Sequence, residues 1–280
     1  MRHLFLLSII LCSFTQVFAQ AAKTCCSAHA SNQFAMLSSN EGFRKAHEEP
    51  LKKEFTQNIG NDITFKCADS KDGKAFEIES KTKSAKYLLV FHEWWGLNAH
   101  IKDEAVALSK KLPDWNIIAV DLYDGTSTTN REEAAQLMQG LNPKRAEAII
   151  GGIQKKIGKN AKIATLGWCM GGGWSLQAAI AGGSKTVACV MYYGFPEKEV
   201  AKLKTLKSDV VFVNATQDKW ITKEVVEEFK ANMKSAGKKL TLKDYDAPHA
   251  FANPSNPNFN QAFTQDAMNA VIKYLQQAGK

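Results

Sequence analysis

The pattern of hydrophobic and polar positions changes character along the 280-residue chain. An apolar run, LFLLSIILC, occupies residues 4–12. Residues 20–60 are polar with poor periodicity, and the stretch EGFRKAHEEPLKKEF suggests one short helix there. From residue 61 the rhythm becomes regular. ITFKCA and KAFEIES, separated by the turn-forming DSKDG, predict a β-hairpin. Short apolar runs then alternate with segments of helical spacing. YLLVFHE, NIIAVDL, AKIATLG, VACVMYY, DVVFVNA and LTLKDYD predict strands. IKDEAVALSKKL, REEAAQLMQGL, PKRAEAIIGGIQKKI, GWSLQAAIA, TKEVVEEFKANMKSAG and NQAFTQDAMNAVIKYLQQAG predict helices, with Pro143 at a first helical position. Strands that are apolar throughout, between helices, predict an α/β fold with a mostly parallel central sheet covered on both faces.

Composition adds limits. Residues are 45% hydrophobic and 23% charged, as expected of a globular chain large enough for a sizeable core. The net charge of +8 comes mainly from lysines scattered on helix faces and turns. Without an arginine-rich tract or aromatic–basic interleaving, this reads as a solvated face, and no nucleic-acid partner is expected. Arg2, the apolar run and VFA before Gln20 have the layout of a secretory signal cleaved after Ala19. The run is too short to span a bilayer, so an exported, periplasmic or secreted, protein is expected. Leu11 is bulky where a lipid-attachment motif at Cys12 needs a small residue. The mature chain keeps Cys25, Cys26, Cys67, Cys169 and Cys189, an odd number that implies a free thiol. Cys25 or Cys26 is a candidate partner for Cys67. The expected division is a signal over residues 1–19, an extension over 20–60, partly disordered or draped on the body, and one domain over 61–280.

In a sheet of this kind reactive groups gather at the carboxyl ends of the strands. One strand runs into Gly167-Trp168-Cys169-Met170-Gly171 and then a helix, a nucleophile elbow with cysteine where serine is usual. The turn is tight enough that positions two before and two after the nucleophile exclude large side chains. Helix-start N–H groups favour a thiolate at Cys169, and the Met170 N–H is placed as an oxyanion donor. A buried structural cysteine is the plainer reading of Cys169, but glycine flanks at a strand-to-helix turn argue against it. Asp218 follows the strand DVVFVNA, and His249 follows LTLKDYD. Alone, the first reads as a turn or cap residue and the second as a loop histidine. Together they give the chain order nucleophile, acid, histidine of the α/β-hydrolases. HEWWG, residues 92–96, begins like a zinc-binding HExxH helix but has Gly96 in the fifth place, and it lies at a strand end.

HEWWGLN, DLY, GWCMGGG, YYG, the Asp218 loop and PHAF together resemble the dienelactone hydrolase family. The resemblance runs from about residue 62 to the C-terminus. It implies hydrolysis of small esters or lactones through a Cys169 acyl-enzyme, with His249 as general base then acid and Asp218 orienting it. It implies backbone donors at Met170 and Trp94 for the oxyanion, and no cofactor or metal. It also implies that Glu93 holds the thiol until substrate displaces it toward an arginine, which Arg131 in TTNREEAAQLM matches. Trp95, Tyr123 and Asn253 fall at substrate-binding positions. Asn253 stands where the family's archetype carries an arginine for a substrate carboxylate, and Ala135 and Met138 stand at pocket-lining positions. Dienelactone itself is therefore not the expected substrate. A small-molecule partner and a monomer are expected. A thioesterase or cysteine peptidase on the same triad, a non-catalytic secreted binding module, and a metal-dependent hydrolase built on His92, Glu93 and His100 remain the rival readings.

Overall fold

The computed structural model describes residues 30–280. The signal-like segment, Cys25 and Cys26 lie outside the described residues. The elements run α1 (Ala30–Leu37), α2 (Glu41–Lys45), β1 (Asn61–Lys66), β2 (Asp72–Ile78), β3 (Lys86–Phe91), α3 (Ala99–Lys111), β4 (Asn116–Asp121), α4 (Arg131–Gly140), α5 (Pro143–Lys156), β5 (Lys162–Trp168), α6 (Met170–Gly182), β6 (Thr186–Tyr192), α7 (Val200–Thr205), β7 (Asp209–Ala215), α8 (Lys223–Ser235), β8 (Leu240–Tyr245) and α9 (Gln261–Ala278).

Eight strands form one sheet in the order β1-β2-β4-β3-β5-β6-β7-β8. The hairpin β1–β2 is antiparallel and joins β4 antiparallel; from β4 through β8 all neighbours are parallel. Every residue of β4 is buried, as are the last four of β3 and nearly all of β5, β6 and β7. Helices cover both faces, so their apolar runs need no polar alternation. Asparagines begin five of the helices. Asn40, Asn98, Asn130, Asn142 and Asn260 each accept from an N–H of the following first turn, which satisfies donors that have no partner inside a helix. α6 is buried on nearly all sides, consistent with its apolar sequence. No helix among the described residues is long and apolar enough to cross a membrane.

Two helices escape the hydrophobic pattern. α7 is short, and α1 has a mixed sequence. The segment around α1 and α2 is not a loose appendage. Phe34 and Phe43 are buried in the main core, with Phe34 edge-on to Phe195 and Phe43 edge-on to Trp94 and Trp220. Burying two phenylalanines is worth roughly 2–3 kcal/mol each, enough to hold a short polar segment on the body.

Candidate active site

The turn between β5 and α6 sets the site. Cys169 sits there with φ 54°, in a region of backbone space costly for a residue with a Cβ. The turn closes because its flanks are glycines. A Cβ on Gly167 would lie 2.1 Å from the Gly171 carbonyl, and one on Gly171 would lie 2.3 Å from the Phe91 carbonyl and 2.5 Å from that of His92. The same close approach seats the elbow against the end of β3, where Glu93 and Trp94 follow. Cys169 is 1% exposed. The Met170 N–H, at the start of α6, donates to its sulfur.

Asp218 and His249 come from the loops after β7 and β8, parallel neighbours in the sheet. His249 Nε2 lies 3.2 Å from Cys169 Sγ, and its Nδ1 donates to Asp218 Oδ2 at 2.5 Å. The other Asp218 oxygen accepts from the N–H groups of Trp220 and Ile221 at 2.8 and 3.0 Å. These bonds fix the carboxylate, which fixes the imidazole. Burial opposes charge on both groups. Even so, the His249 partner holds the Asp218 carboxyl low, and Asp218 with Cys169 raises His249 well above the ordinary histidine range. Burial pushes the Cys169 thiol up against the opposing pull of His249. The Cys169 sulfur and the His249 imidazole thus share a proton across a 3.2 Å contact.

Glu93 belongs both to this cluster and to a cavity. The cavity, about 270 Å³, is lined by Glu93, Trp95, Trp168, Tyr192, Asn253 and Met268, among others. Burial raises the Glu93 carboxyl to about 7, tempered by His249 and by a 2.5 Å bond from Asn253 Nδ2 to its Oε2. A charge on Glu93 in turn disfavours the Cys169 thiolate.

The structure places several expected site residues differently. At rest Arg131 does not meet Glu93, and the role expected of it, receiving Glu93 once substrate displaces it, belongs to a substrate-bound state. Its Nε donates to the His47 carbonyl at 2.9 Å, and its backbone N–H donates to Glu49, so it ties down the N-terminal segment. Glu93 meets Asn253, which also lines the cavity, where a substrate-contacting residue would stand. Tyr123 lines no part of this cavity. Its hydroxyl donates to Met170 Sδ at 3.2 Å, and its ring packs on His92, bracing the elbow from below. His92 donates from Nδ1 to the Glu93 carbonyl at 2.6 Å and accepts from the Leu122 N–H at Nε2 at 3.1 Å. Both ring nitrogens are engaged in joining the ends of β3 and β4. His100 bonds to the Leu51 carbonyl, so the two histidines and Glu93 form no metal-binding set. Trp95 lines the cavity, while the Trp94 ring packs under Phe43 and His47.

Sequence reasoning missed the roof. Phe43, His47, Trp220 and Tyr193 surround the His249 ring at centroid distances of 6.2, 5.3, 5.5 and 5.0 Å. His47 is buried, with Nδ1 bonded to the Phe43 carbonyl at 2.7 Å and no hydrogen-bond partner at Nε2. Burial, together with nearby His249, lowers its pKa to about 3. A histidine in an aperiodic segment carries no local sign that it will meet a loop 200 residues away.

A parallel sheet with a cysteine at the elbow, then aspartate and histidine on successive strand-end loops, defines an α/β-hydrolase. The chain belongs to the dienelactone hydrolase family, whose sequence model matches residues 74–279. It is 26% identical over 215 residues to carboxymethylenebutenolidase 1 of Cupriavidus pinatubonensis, covering 69% of this chain and 87% of that protein. It is 32% identical over 114 residues to the carboxymethylenebutenolidase of a Pseudomonas species, covering 40% and 47%. A Klebsiella pneumoniae structure assigned as a dienelactone hydrolase superposes with a TM-score of 0.68 at 19% identity, covering 78% of this chain and 98% of that one. The protein is a hydrolase acting on ester bonds.

Proposed function

We propose that the protein hydrolyses small esters or lactones through a thioester on Cys169. The observation that carries this is the continuous chain from Cys169 Sγ to His249 Nε2, and from His249 Nδ1 to Asp218, at 3.2 and 2.5 Å. His249 takes the thiol proton as sulfur attacks the acyl carbon, and Asp218 stabilises the imidazolium that forms. The Met170 N–H, with that of Trp94, receives the developing oxyanion. His249 then returns the proton to the leaving alkoxide. Water activated by the same histidine hydrolyses the thioester and restores the thiol. In a lactone the leaving oxygen stays on the acyl chain, and one hydroxy acid departs.

The cavity walls favour a compact, largely apolar acyl group between Trp95, Trp168 and Met268, with Tyr192 and Asn253 as polar contacts. With Asn253 bonded to Glu93, no cation stands ready at that position for a substrate carboxylate, which favours neutral esters and lactones over dienelactone. The test is p-nitrophenyl acetate hydrolysis before and after iodoacetamide. The expected result is turnover abolished in step with alkylation of Cys169. Full turnover by alkylated enzyme would refute a cysteine nucleophile. The signal-like segment supports export, which intact-mass analysis of protein secreted by the native host checks as a mature chain beginning at Gln20.

A further inference from the structure

His47 is foreign to the hydrolase scaffold, since the family match begins at residue 74, yet it reaches the nucleophile. One ligand-type atom from each of His47, Cys169 and His249 lies within 4.8 Å of the others. We propose that these side chains form a thiolate–bis-imidazole site for a transition metal ion such as Zn2+, and that the bound ion clamps the N-terminal segment over the nucleophile.

Several independent features point the same way. All three side chains are buried, His47 at 4% exposure, so an ion there is shielded from water. Each imidazole has one nitrogen engaged by an oxygen and the other left for a metal. His47 Nδ1 is held by the Phe43 carbonyl and His249 Nδ1 by the Asp218 carboxylate. This is the outer-shell pattern that orients metal-binding histidines and raises their basicity. His47 Nε2 is buried without a hydrogen-bond partner, whereas a histidine serving purely as packing would have both nitrogens satisfied. Tetrahedral Zn2+ places its ligand atoms roughly 3.3–3.6 Å apart, given bonds of about 2.0–2.1 Å to nitrogen and 2.3 Å to sulfur. His249 Nε2 and Cys169 Sγ, at 3.2 Å, are close to that already. The contraction needed elsewhere is on the order of 1 Å, within reach of a side chain just beyond a five-residue helix.

Charge agrees. The thiolate, Asp218 and the nearby Glu93 supply negative charge that attracts a dication, against the one repelling cation that acts on His47, Arg131. One thiolate and two imidazoles select Zn2+, Co2+ or copper over Mg2+ and Ca2+. Binding expels one proton, whether the resting pair is thiol and imidazole or thiolate and imidazolium. Three protein ligands leave a fourth position open. If Cys169 is the nucleophile proposed above, the metal-loaded form is an off state released by chelation.

Cobalt gives a readout that needs no substrate. Titrating the full-length protein with Co2+ is expected to give a thiolate-to-cobalt charge-transfer band and the strong visible bands of four-coordinate Co2+, displaced by Zn2+. His47→Gln is expected to weaken Co2+ binding at least about 10-fold, with its fold checked by circular dichroism; Cys169→Ser is expected to lose the charge-transfer band. Should His47→Gln fail to fold, limited proteolysis of the wild type decides: Zn2+, and not Mg2+, is expected to slow cleavage between residues 38 and 60. A wild type without the bands, a folded His47→Gln that binds Co2+ as tightly, or a segment whose cleavage ignores Zn2+ would overturn the site. Metal-free wild type without esterase activity would count against the nucleophile and leave the metal result standing.

Discussion

Glu93 shows how one burial decision becomes chemistry. Its carboxyl titrates at about 7 against an ordinary value of 4.5, because burial penalises the charge. The folded chain holds this proton more tightly than the unfolded one. Its contribution to stability is therefore complete below about pH 4.5 and is lost as pH rises through 7. Glu93→Gln lacks this dependence, so the stability of the variant relative to wild type is expected to rise by about 3 kcal/mol between pH 4.5 and 8, read by urea denaturation at each pH. The variant also removes the charge that disfavours the Cys169 thiolate. Its alkylation by iodoacetamide at pH 8 is expected to be several-fold faster than wild type; equal rates would remove Glu93 from control of the thiol. Cys169→Ser is expected to lower kcat/KM by about 10³-fold or more, since a hydroxyl is far less acidic than a thiol and this site has no stronger base than His249.

At the scale of elements, α2 and the residues after it are a lid held by shape and neutrality. His47 is buried beside Phe43, Trp94, Trp220 and His249, with Arg131 and Asp218 also acting on its charge. Its pKa of about 3 lies below the usual 6.5, so the folded chain binds this proton more weakly. The stability it confers is complete above pH 6.5 and drains as pH falls toward 3, by on the order of 4 kcal/mol. Acid is expected to undock the segment before the sheet unfolds. Near-UV circular dichroism from the tryptophans is expected to show a transition between pH 6 and 4 that His47→Phe flattens. The β5–α6 elbow depends on contact rather than charge. Gly171→Ala would press a methyl against the Phe91 and His92 carbonyls. That change is expected to cost about 2–4 kcal/mol or to displace Trp94 from the oxyanion position, seen as a lower melting temperature together with a lower kcat.

At the scale of the whole molecule, the N-terminal segment is part of the fold. A chain beginning at residue 61 would uncover the seats of Phe34 and Phe43, at roughly 2–3 kcal/mol for each lost ring. Its melting temperature is expected to fall by about 10–20 °C. An unchanged value would show the segment to be a removable cover. The sheet explains why the site survives such dependence: Cys169, Asp218 and His249 leave from strands β5, β7 and β8, whose parallel register is set by buried backbone bonds far from the lid.

The order of strands and helices, the elbow with its glycines, and the Cys169, Asp218 and His249 positions were all legible in the chain, because each rests on local rules. Apolar runs of strand length, helical spacing and glycines two residues either side of the elbow cysteine act within a few residues of themselves. The partners of Arg131, Asn253, Tyr123, His92 and His47 were not legible. Each is decided by which loop ends meet above the sheet, and side-chain spacing along the chain carries no record of that meeting. A guanidinium serves a carbonyl as well as a carboxylate, and at rest Arg131 serves that of His47. The sequence thus determined the scaffold and the residues at its strand ends from which the proposed chemistry is built. The tertiary structure decided what surrounds them, because burial and proximity, which set the charge of Glu93, Cys169 and His47, exist only once distant segments pack.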